Sequence, residues 1–536
     1  MEKTAGPAAA ALPGFHAGRP SYGEEGPIAA FATPPGESAL TLIRCSGKNA
    51  VELAASVFSR PRKLREAPAN SVIHGWILAP GEGGGAGAGG DRAGTDESGA
   101  GGARERIDEV LAAVYRAPKS YTGEEGLDIS CHGGLAAGRA VMGALRAAGF
   151  RDALPGEFTL RAFLNGKLDL TQAESVMELI AARGDMGRRR AVGRLSGALE
   201  AEIRGVKNLL VETLAGTELF LDYSEDELET GGPEALGLLP ERRRAEEALA
   251  RLEKLAASWI VEQLCRDGIL AVIAGRPNAG KSSLFNLLLR EERSIVTEIP
   301  GTTRDWIEGW LSLDGFPLRL MDTAGLRESG GPGADPVERI GMERSRELIE
   351  EANLILYVID GAAGLSGGDR TFLAACPAAG LPGHTGEKPG GHRPERDGAG
   401  PCQEPPVIIV WNKADIAPPP AGPFPGGKPL AVSAKTGQGL PELIDALTAA
   451  IPKIAGGDWG NGAPESPGIG TARQKELIDT ARAAVGEALS LSAQGEALDI
   501  IAPLLREAVN ALGEITGEVS TAEILETMFS RFCVGK

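Results

Sequence analysis

The nine residues "GRPNAGKSS", Gly275 to Ser283, constrain this chain more than any other stretch. Gly275 to Ser282 fits G-x-x-x-x-G-K-[ST], after an apolar run "ILAVIA" and before "SLFNLLL". A strand thus feeds a glycine loop that opens a helix, which is the context the motif needs to cradle phosphate. Backbone N–H groups of the loop and of the helix N-terminus meet the phosphates. Lys281 reaches the β- and γ-phosphates, and Ser282 takes Mg2+. Short apolar runs recur downstream: "LRLMDTAG", "NLILYVID", "VIIVWNKAD" and "PLAVSAK". Their alternation with helices predicts an α/β domain with a mostly parallel sheet.

The partners of the loop follow in chain order. "GTTRD" (Gly301 to Asp305) supplies a threonine for magnesium, Thr303. "DTAG" (Asp322, Thr323, Ala324, Gly325) ends a strand, where the aspartate holds magnesium through water and the glycine N–H faces the γ-phosphate. "NKAD" (Asn412, Lys413, Ala414, Asp415) selects the base. Asp415 accepts from the ring N–H and the exocyclic amine of guanine, and adenine would leave that carboxylate unpaired. "SAK" (Ser433, Ala434, Lys435) closes the pocket. The expected GTP site therefore comprises Asn278, Ala279, Gly280, Lys281, Ser282 and Ser283, the segment Thr297, Glu298, Ile299, Pro300, Gly301, Thr302 and Thr303, and the three later motifs. Hydrolysis needs something further. Leu326 stands where Ras-type enzymes place the water-orienting glutamine, and no arginine finger is evident. Asn278 is positioned to ligate a monovalent cation or to stabilise the loop by a hydrogen bond. Glu338 either positions water or belongs to a solvated helix face.

At 536 residues with a net charge of -18, the chain reads as several domains and not as a non-specific coat for nucleic acid. The run Arg188, Arg189, Arg190 is a candidate local basic patch. Six cysteines without regular spacing predict a reducing compartment. With no apolar run near ~20 residues and no recognisable leader, a cytoplasmic protein without a membrane span is expected. Residues 1–25 read as a disordered tail, and 80–104 and 377–406 as flexible Gly- and Pro-rich insertions. Cys376, His384, His392 and Cys402 in and around the second insertion are too unevenly spaced for zinc.

Elsewhere "LTLIRC" and "VLAAVYRA" read as strands. A capping box, Thr171 and Glu174, opens a helix with Ala173, Val176, Met177 and Ile180 on one face. A longer helix is expected to carry Val192, Leu195, Leu199, Ile203, Val206, Leu210 and Leu214. The last helix is expected to start at Ser520 with Glu523 completing a capping box, Phe532 anchoring its end and Cys533 emerging beyond.

The phrases "IAAFATPPGESALTLIRCSG", "APKSYTGEEGLDISCHGG", "PGEFTLRAFLNGKLDLTQAES" and "FCVGK", with the GTPase set, resemble the MnmE/TrmE family of tRNA uridine-modification GTPases. The resemblance implies a multidomain α/β and all-α protein. Its parts would be an α+β folate-binding dimerisation domain (26–160), a discontinuous helical domain (161–265 and 456–536) and an inserted Ras-like P-loop GTPase domain (266–455). It implies a homodimer acting on tRNA with an FAD-dependent MnmG/GidA-type partner in a heterotetramer. Together they would install an aminomethyl-type (carboxymethylaminomethyl) group at C5 of the wobble uridine, with 5-formyl- or 5,10-methylene-tetrahydrofolate as one-carbon source. It further implies K+ held by Asn278, Thr297, Ile299 and Thr302, Mg2+ held by Ser282 and Thr303, and catalytic roles for Glu338 and Cys533. The folate would be held by Arg44, Asp128, Lys167 and Lys536, with Asp128 standing where the family usually has glutamate. The competing expectation is a regulatory switch GTPase of ribosome assembly without modification chemistry.

Overall fold

The computed structural model describes residues 26–34, 36–80, 104–222, 241–290, 307–322, 347–375, 405–456, 468–519 and 521–536. They form two compact units, residues 1–177 with 513–536, and residues 178–512. Residues 161–177 and 513–536, at the outer ends of the expected helical segments, pack within the first unit.

The first unit is built on a six-stranded sheet: β1 (Ile28–Phe31), β2 (Leu40–Ser46), β3 (Ser71–Leu78), β4 (Arg106–Tyr115), β5 (Gly126–His132) and β6 (Arg151–Asp152). The order is β3-β4-β5-β2-β1-β6, antiparallel except for β1 with β6. Strand alternation sends Ile43 and Cys45, Val110, Ala112 and Val114, and Leu127, Ile129 and Cys131 into one core. There they meet Val51 of α1 (Ala50–Ser56), Leu64 of α2 (Pro61–Arg65) and Val141 and Leu145 of α3 (Leu135–Ala148). On other positions of these strands Leu40, Val72 and Leu111 stay about half exposed.

Two helices follow, α4 (Glu157–Leu164) and α5 (Leu170–Ala181). The cap of α5 lies two residues before the expected one. Asp169 Oδ1 accepts from the N–H groups of Thr171 (2.7 Å) and Gln172 (3.0 Å), and Gln172 Oε1 accepts from Asp169 N–H (3.0 Å). The box is therefore Asp169–Gln172. Thr171 and Glu174 are instead buried within the first two turns of the helix, and Ile180 is 47% exposed. The last helix (Ala522–Phe529) is capped by Thr521, whose hydroxyl accepts from Ile524 N–H, one residue later than expected. Ser520 lies outside the described residues. Leu525, Phe529 and Phe532 close a cluster with Leu160 and Leu170, so Phe532 is a buried anchor.

The second unit holds a sheet of β7 (Ile269–Gly275), β8 (Ile307–Leu313), β9 (Phe316–Asp322), β10 (Leu354–Asp360), β11 (Val407–Asn412) and β12 (Leu430–Ala431). Its order is β12-β11-β10-β7-β9-β8, parallel but for β8. Helical segments α6 (Asp185–Leu195), α7 (Ala198–Asp222), α8 (Arg242–Ala257) and α9 (Trp259–Asp267) precede it, and a helix Ala472–Gln494 follows it. The single long helix expected around residue 197 is two. Gly197 breaks it with φ +89°.

The inward face of α6 is ionic and not apolar. Arg194 is fully buried and donates to Glu262 (3.0 and 2.6 Å), Glu178 (2.7 Å) and the carbonyl of Gly468 (3.1 Å). Arg190 reaches Glu262 at 2.8 Å, while Val192 is 42% exposed. The basic run is thus no patch, because Arg188 and Arg189 pair with Asp185 and Arg190 is buried. Burial works against the Arg194 charge, but the two carboxylates outweigh it and hold its pKa above the ordinary value. Arg194→Ala leaves Glu178 and Glu262 under-paired in the interior. It should lower the stability of this unit by about 3–5 kcal/mol, read as a lower denaturant midpoint of its unfolding transition.

Candidate functional site

In the second unit the glycine loop runs from the end of β7 into α10 (Lys281–Arg290). A Cβ on Gly275 would lie 2.2 Å from Val358 O, and one on Gly280 would lie 2.1 Å from Asn412 Nδ2. Both have positive φ, so only glycine fits at either place. Lys281 is buried and donates to the carbonyls of Gly275 and Arg276. Ser282 Oγ donates to Asp322 Oδ2 at 2.7 Å, bringing the end of β9 to the loop. A hydroxyl beside a carboxylate that is 3% exposed suits a hard cation bound by oxygen.

Asn412 joins the base-selecting segment to the phosphate loop. Its Nδ2 donates to Ala279 O (2.8 Å) and its Oδ1 accepts from Ala434 N–H (3.0 Å). Lys413 has φ +62° and pairs with Asp360 at 2.7 Å. Burial pushes the Asp360 carboxyl up, but the hydrogen bond and charge of Lys413 and two backbone N–H groups bring it below the ordinary value. Asp415 and Lys435 are exposed, and no hydrogen bond from a described residue reaches the Asp415 carboxylate. Ser433 is fully buried, and its hydroxyl accepts from Thr436 N–H (3.3 Å). Ser283 is exposed. Asn278 adopts φ +63° and is exposed, with no side-chain hydrogen bond to a described residue. Thr297, Glu298, Ile299, Pro300, Gly301, Thr302, Thr303, Thr323, Ala324, Gly325 and Glu338 lie outside the described residues, as does the insertion 377–404.

In the first unit Arg44 and Asp128 are direct cross-strand partners of β2 and β5. Their contact is two-pronged, Nε to Oδ1 at 3.0 Å and the terminal nitrogen to Oδ2 at 3.3 Å. Burial lowers the arginine pKa, and the hydrogen bond and charge of Asp128 more than restore it. The Tyr121 ring lies 5.8 Å from the guanidinium carbon. Lys167 donates to Pro118 O (3.1 Å), and its stem passes Gly123, so the loop carrying Tyr121 also seats Lys167.

Helix α4 ties this loop to the C-terminal segment. Thr159 shares a hydrogen bond with the Tyr121 hydroxyl (2.9 Å), and one turn earlier Gly156 N–H donates to Cys533 O (3.3 Å). Gly156 has φ +68°, and a Cβ there would lie 2.8 Å from both Phe529 O and Phe532 Cβ. On the far side of the thiol, Gly535 has φ +93° and would place a Cβ 2.4 Å from Phe31 O. Phe31 follows Ala30, the β1 partner of Arg44, so the segment ending in Lys536 runs beside the Arg44 strand pair. Arg44, Asp128, Lys167 and the Cys533–Lys536 segment are thus gathered around α4 and β1–β2. Cys533 is exposed, whereas Cys45, Cys131 and Cys265 are buried free thiols. Burial pushes Cys131 up to about 11 and Cys265 up to about 12, which suppresses their thiolates. Tyr121 and Gly156 were not singled out from sequence, although both sit inside the quoted phrases "SYTGEE" and "PGEF".

The family model described as MnmE helical domain matches residues 170–533, and that described as GTP-binding protein TrmE N-terminus matches residues 27–167. The tRNA modification GTPase MnmE of Treponema denticola is 37% identical over 532 residues, 97% of this chain and 99% of that protein. The protein of the same name from Symbiobacterium thermophilum is 40% identical over 526 residues, 96% of this chain and 100% of that protein. A solved structure of Aquifex aeolicus Era bound to GDP.AlF4- matches 40% of this chain and 66% of its own at 22% identity, with a TM-score of 0.23. The chain belongs to the MnmE family of tRNA modification GTPases.

Proposed function

We propose that this protein, a GTP-hydrolysing enzyme of tRNA modification, works as a potassium-assisted GTPase. We further propose that its first unit carries a tetrahydrofolate one-carbon donor beside a reactive thiol. The observation that carries the second half is α4. Gly156 at its N-cap holds the backbone of Cys533, and its Thr159 holds the hydroxyl of Tyr121, whose ring adjoins Arg44, so the Cys533 segment and the Tyr121 loop are tied to one short helix.

In the GTPase half, loop N–H groups and Lys281 would neutralise the phosphates, and releasing Lys281 from Gly275 O and Arg276 O frees its ammonium for them. Ser282, near Asp322, would hold Mg2+ together with Thr303, and the ion would draw charge from the β- and γ-oxygens. Asp415 would take both donors of guanine, while Asn412 keeps the base loop and phosphate loop in register. Asn278, with its amide uncommitted among the described residues, would ligate K+ beside the phosphates with Thr297, Ile299 and Thr302, in place of an arginine finger. Glu338 would position the attacking water. No helix among the described residues is long and apolar enough to cross a membrane.

In the other half, Arg44 and Asp128 would meet the donor and acceptor edge of a pterin, and Lys167 and Lys536 its glutamate carboxylates. Aspartate here keeps the guanidinium close through a shorter arm. The protein would act as a homodimer, for which the half-exposed Leu40, Val72 and Leu111 of the sheet offer apolar surface. With an FAD-dependent MnmG/GidA-type partner it would install the aminomethyl-type group on the wobble uridine of tRNA.

Two measurements test this reading. GTP turnover should be much faster in potassium than in sodium at equal ionic strength, and Asn278→Ala should abolish the difference while nucleotide still binds. Equal rates in the two salts would sink the cation assignment. Cys533→Ser should leave GTP turnover near wild type and abolish the modified nucleoside. Mass spectrometry of tRNA from cells carrying only that variant reads the outcome, and a normal level of the nucleoside removes the thiol from the chemistry.

A further inference from the structure

The Tyr121 loop is fixed from every side. Its neighbour Thr122 is 3% exposed and shares a hydrogen bond with Ser46 Oγ at 2.7 Å. Ser46 also donates to Glu124 (2.9 Å), and Glu124 pairs with Arg161 of α4 (3.0 Å). Asn165 donates to Thr122 O at 2.7 Å, and Ser120 Oγ is bonded to Glu124 O. The Tyr121 hydroxyl is tied to Thr159, which is fully buried. The flanking residues and the hydroxyl of this tyrosine are thus tied down. Tyr121 itself remains 39% exposed, with its ring beside the half-buried guanidinium of Arg44.

An exposed aromatic ring in a fixed orientation, adjoining a guanidinium–carboxylate pair, matches a heterocycle with a flat, polar-edged ring such as the pyrimidinone half of a tetrahydropterin. The ring offers a stacking surface and the pair offers donors and an acceptor. We propose that Tyr121 is the stacking platform for the bicyclic ring of the folate-class ligand whose polar edge meets Arg44 and Asp128. The proposal rests on the folate reading above and adds the residue that selects the ring system. The competing role for Tyr121 is support of Arg44 alone, through the cation–π contact.

Two probes separate these roles: 5-formyl-tetrahydrofolate, and p-aminobenzoylglutamate, which keeps the glutamate tail and lacks the bicyclic ring. Each is titrated calorimetrically into the full-length wild type, Tyr121→Phe and Tyr121→Leu, with circular dichroism as the check of fold. The wild type should prefer the folate. Tyr121→Phe, which keeps the ring, should retain that preference. Tyr121→Leu should lose it by on the order of ten-fold, the scale of one aromatic stacking contact, with the shorter probe little changed. Tyr121→Gln replaces the leucine variant should that one fail to fold. If both probes weaken together, or if the non-aromatic variant keeps the preference, Tyr121 is no platform while the folate reading stands. A wild type that binds neither probe overturns the folate reading and this proposal with it.

Discussion

The Arg194 guanidinium is the fixed point of the second unit. The segments that lead into and out of the nucleotide-binding sheet meet at this side chain. Here the entry is α9, which carries Glu262 and leads directly into β7, and the return reaches Gly468 before the helix Ala472–Gln494. Arg194 binds Glu262 on the way in and Gly468 O on the way out. The absence of side chains at Gly468 and Gly470 is part of this arrangement, since a Cβ there would fall within 2 Å of Arg190 and Glu178 atoms respectively. A buried ion cluster of this kind contributes little net stability against an apolar substitute, but breaking it is costly. It joins α6, α9, Glu178 of α5 and the carbonyl of Gly468 through one guanidinium.

The two proposed chemistries rely on a common device, backbone approaching backbone or side chain where only glycine leaves room. Gly280 lets Asn412 reach the phosphate loop, and Gly156 lets the C-terminal segment lie on α4. In each case a single hydrogen bond, Asn412 to Ala279 O or Gly156 N–H to Cys533 O, joins segments far apart in sequence. Precision at both sites thus comes from excluded side chains as much as from the polar groups themselves.

What could be read from sequence divides along physical lines. The strands of the nucleotide-binding sheet were legible because they are buried on both faces and form continuous apolar runs. The antiparallel β8 and most strands of the first unit escaped, since half-buried strands alternate with polar residues and some are very short. The cap of α5 is ambiguous in sequence because Asp169, Thr171, Gln172 and Glu174 offer two overlapping boxes, and the hydrogen bonds of Asp169 and Gln172 decide between them. The long helix was overextended because Leu195 and Leu199 keep the right spacing across Gly197, and because a buried arginine face has no apolar signature. Residues whose chemistry dictates their type, such as Lys281 and Asp322, stand out in the sequence through their motifs. Tyr121 has no such signature, since the exposure of its ring is decided only by the fold.

The clamp on the C-terminal segment has a consequence for biosynthesis. Phe31 and Gly535 touch, as do Gly156 and Phe532, although the first members of both pairs are made hundreds of residues earlier. The sheet of the first unit can pair its strands as it leaves the ribosome, but the seat for Cys533 must stay open throughout synthesis of the GTPase domain. Leu160 and Leu170 meanwhile lack the cover of Phe529 and Phe532. The segment with the thiol therefore completes the first unit only late in synthesis, and a nascent chain cannot assemble its proposed modification site before its nucleotide-binding domain has been made.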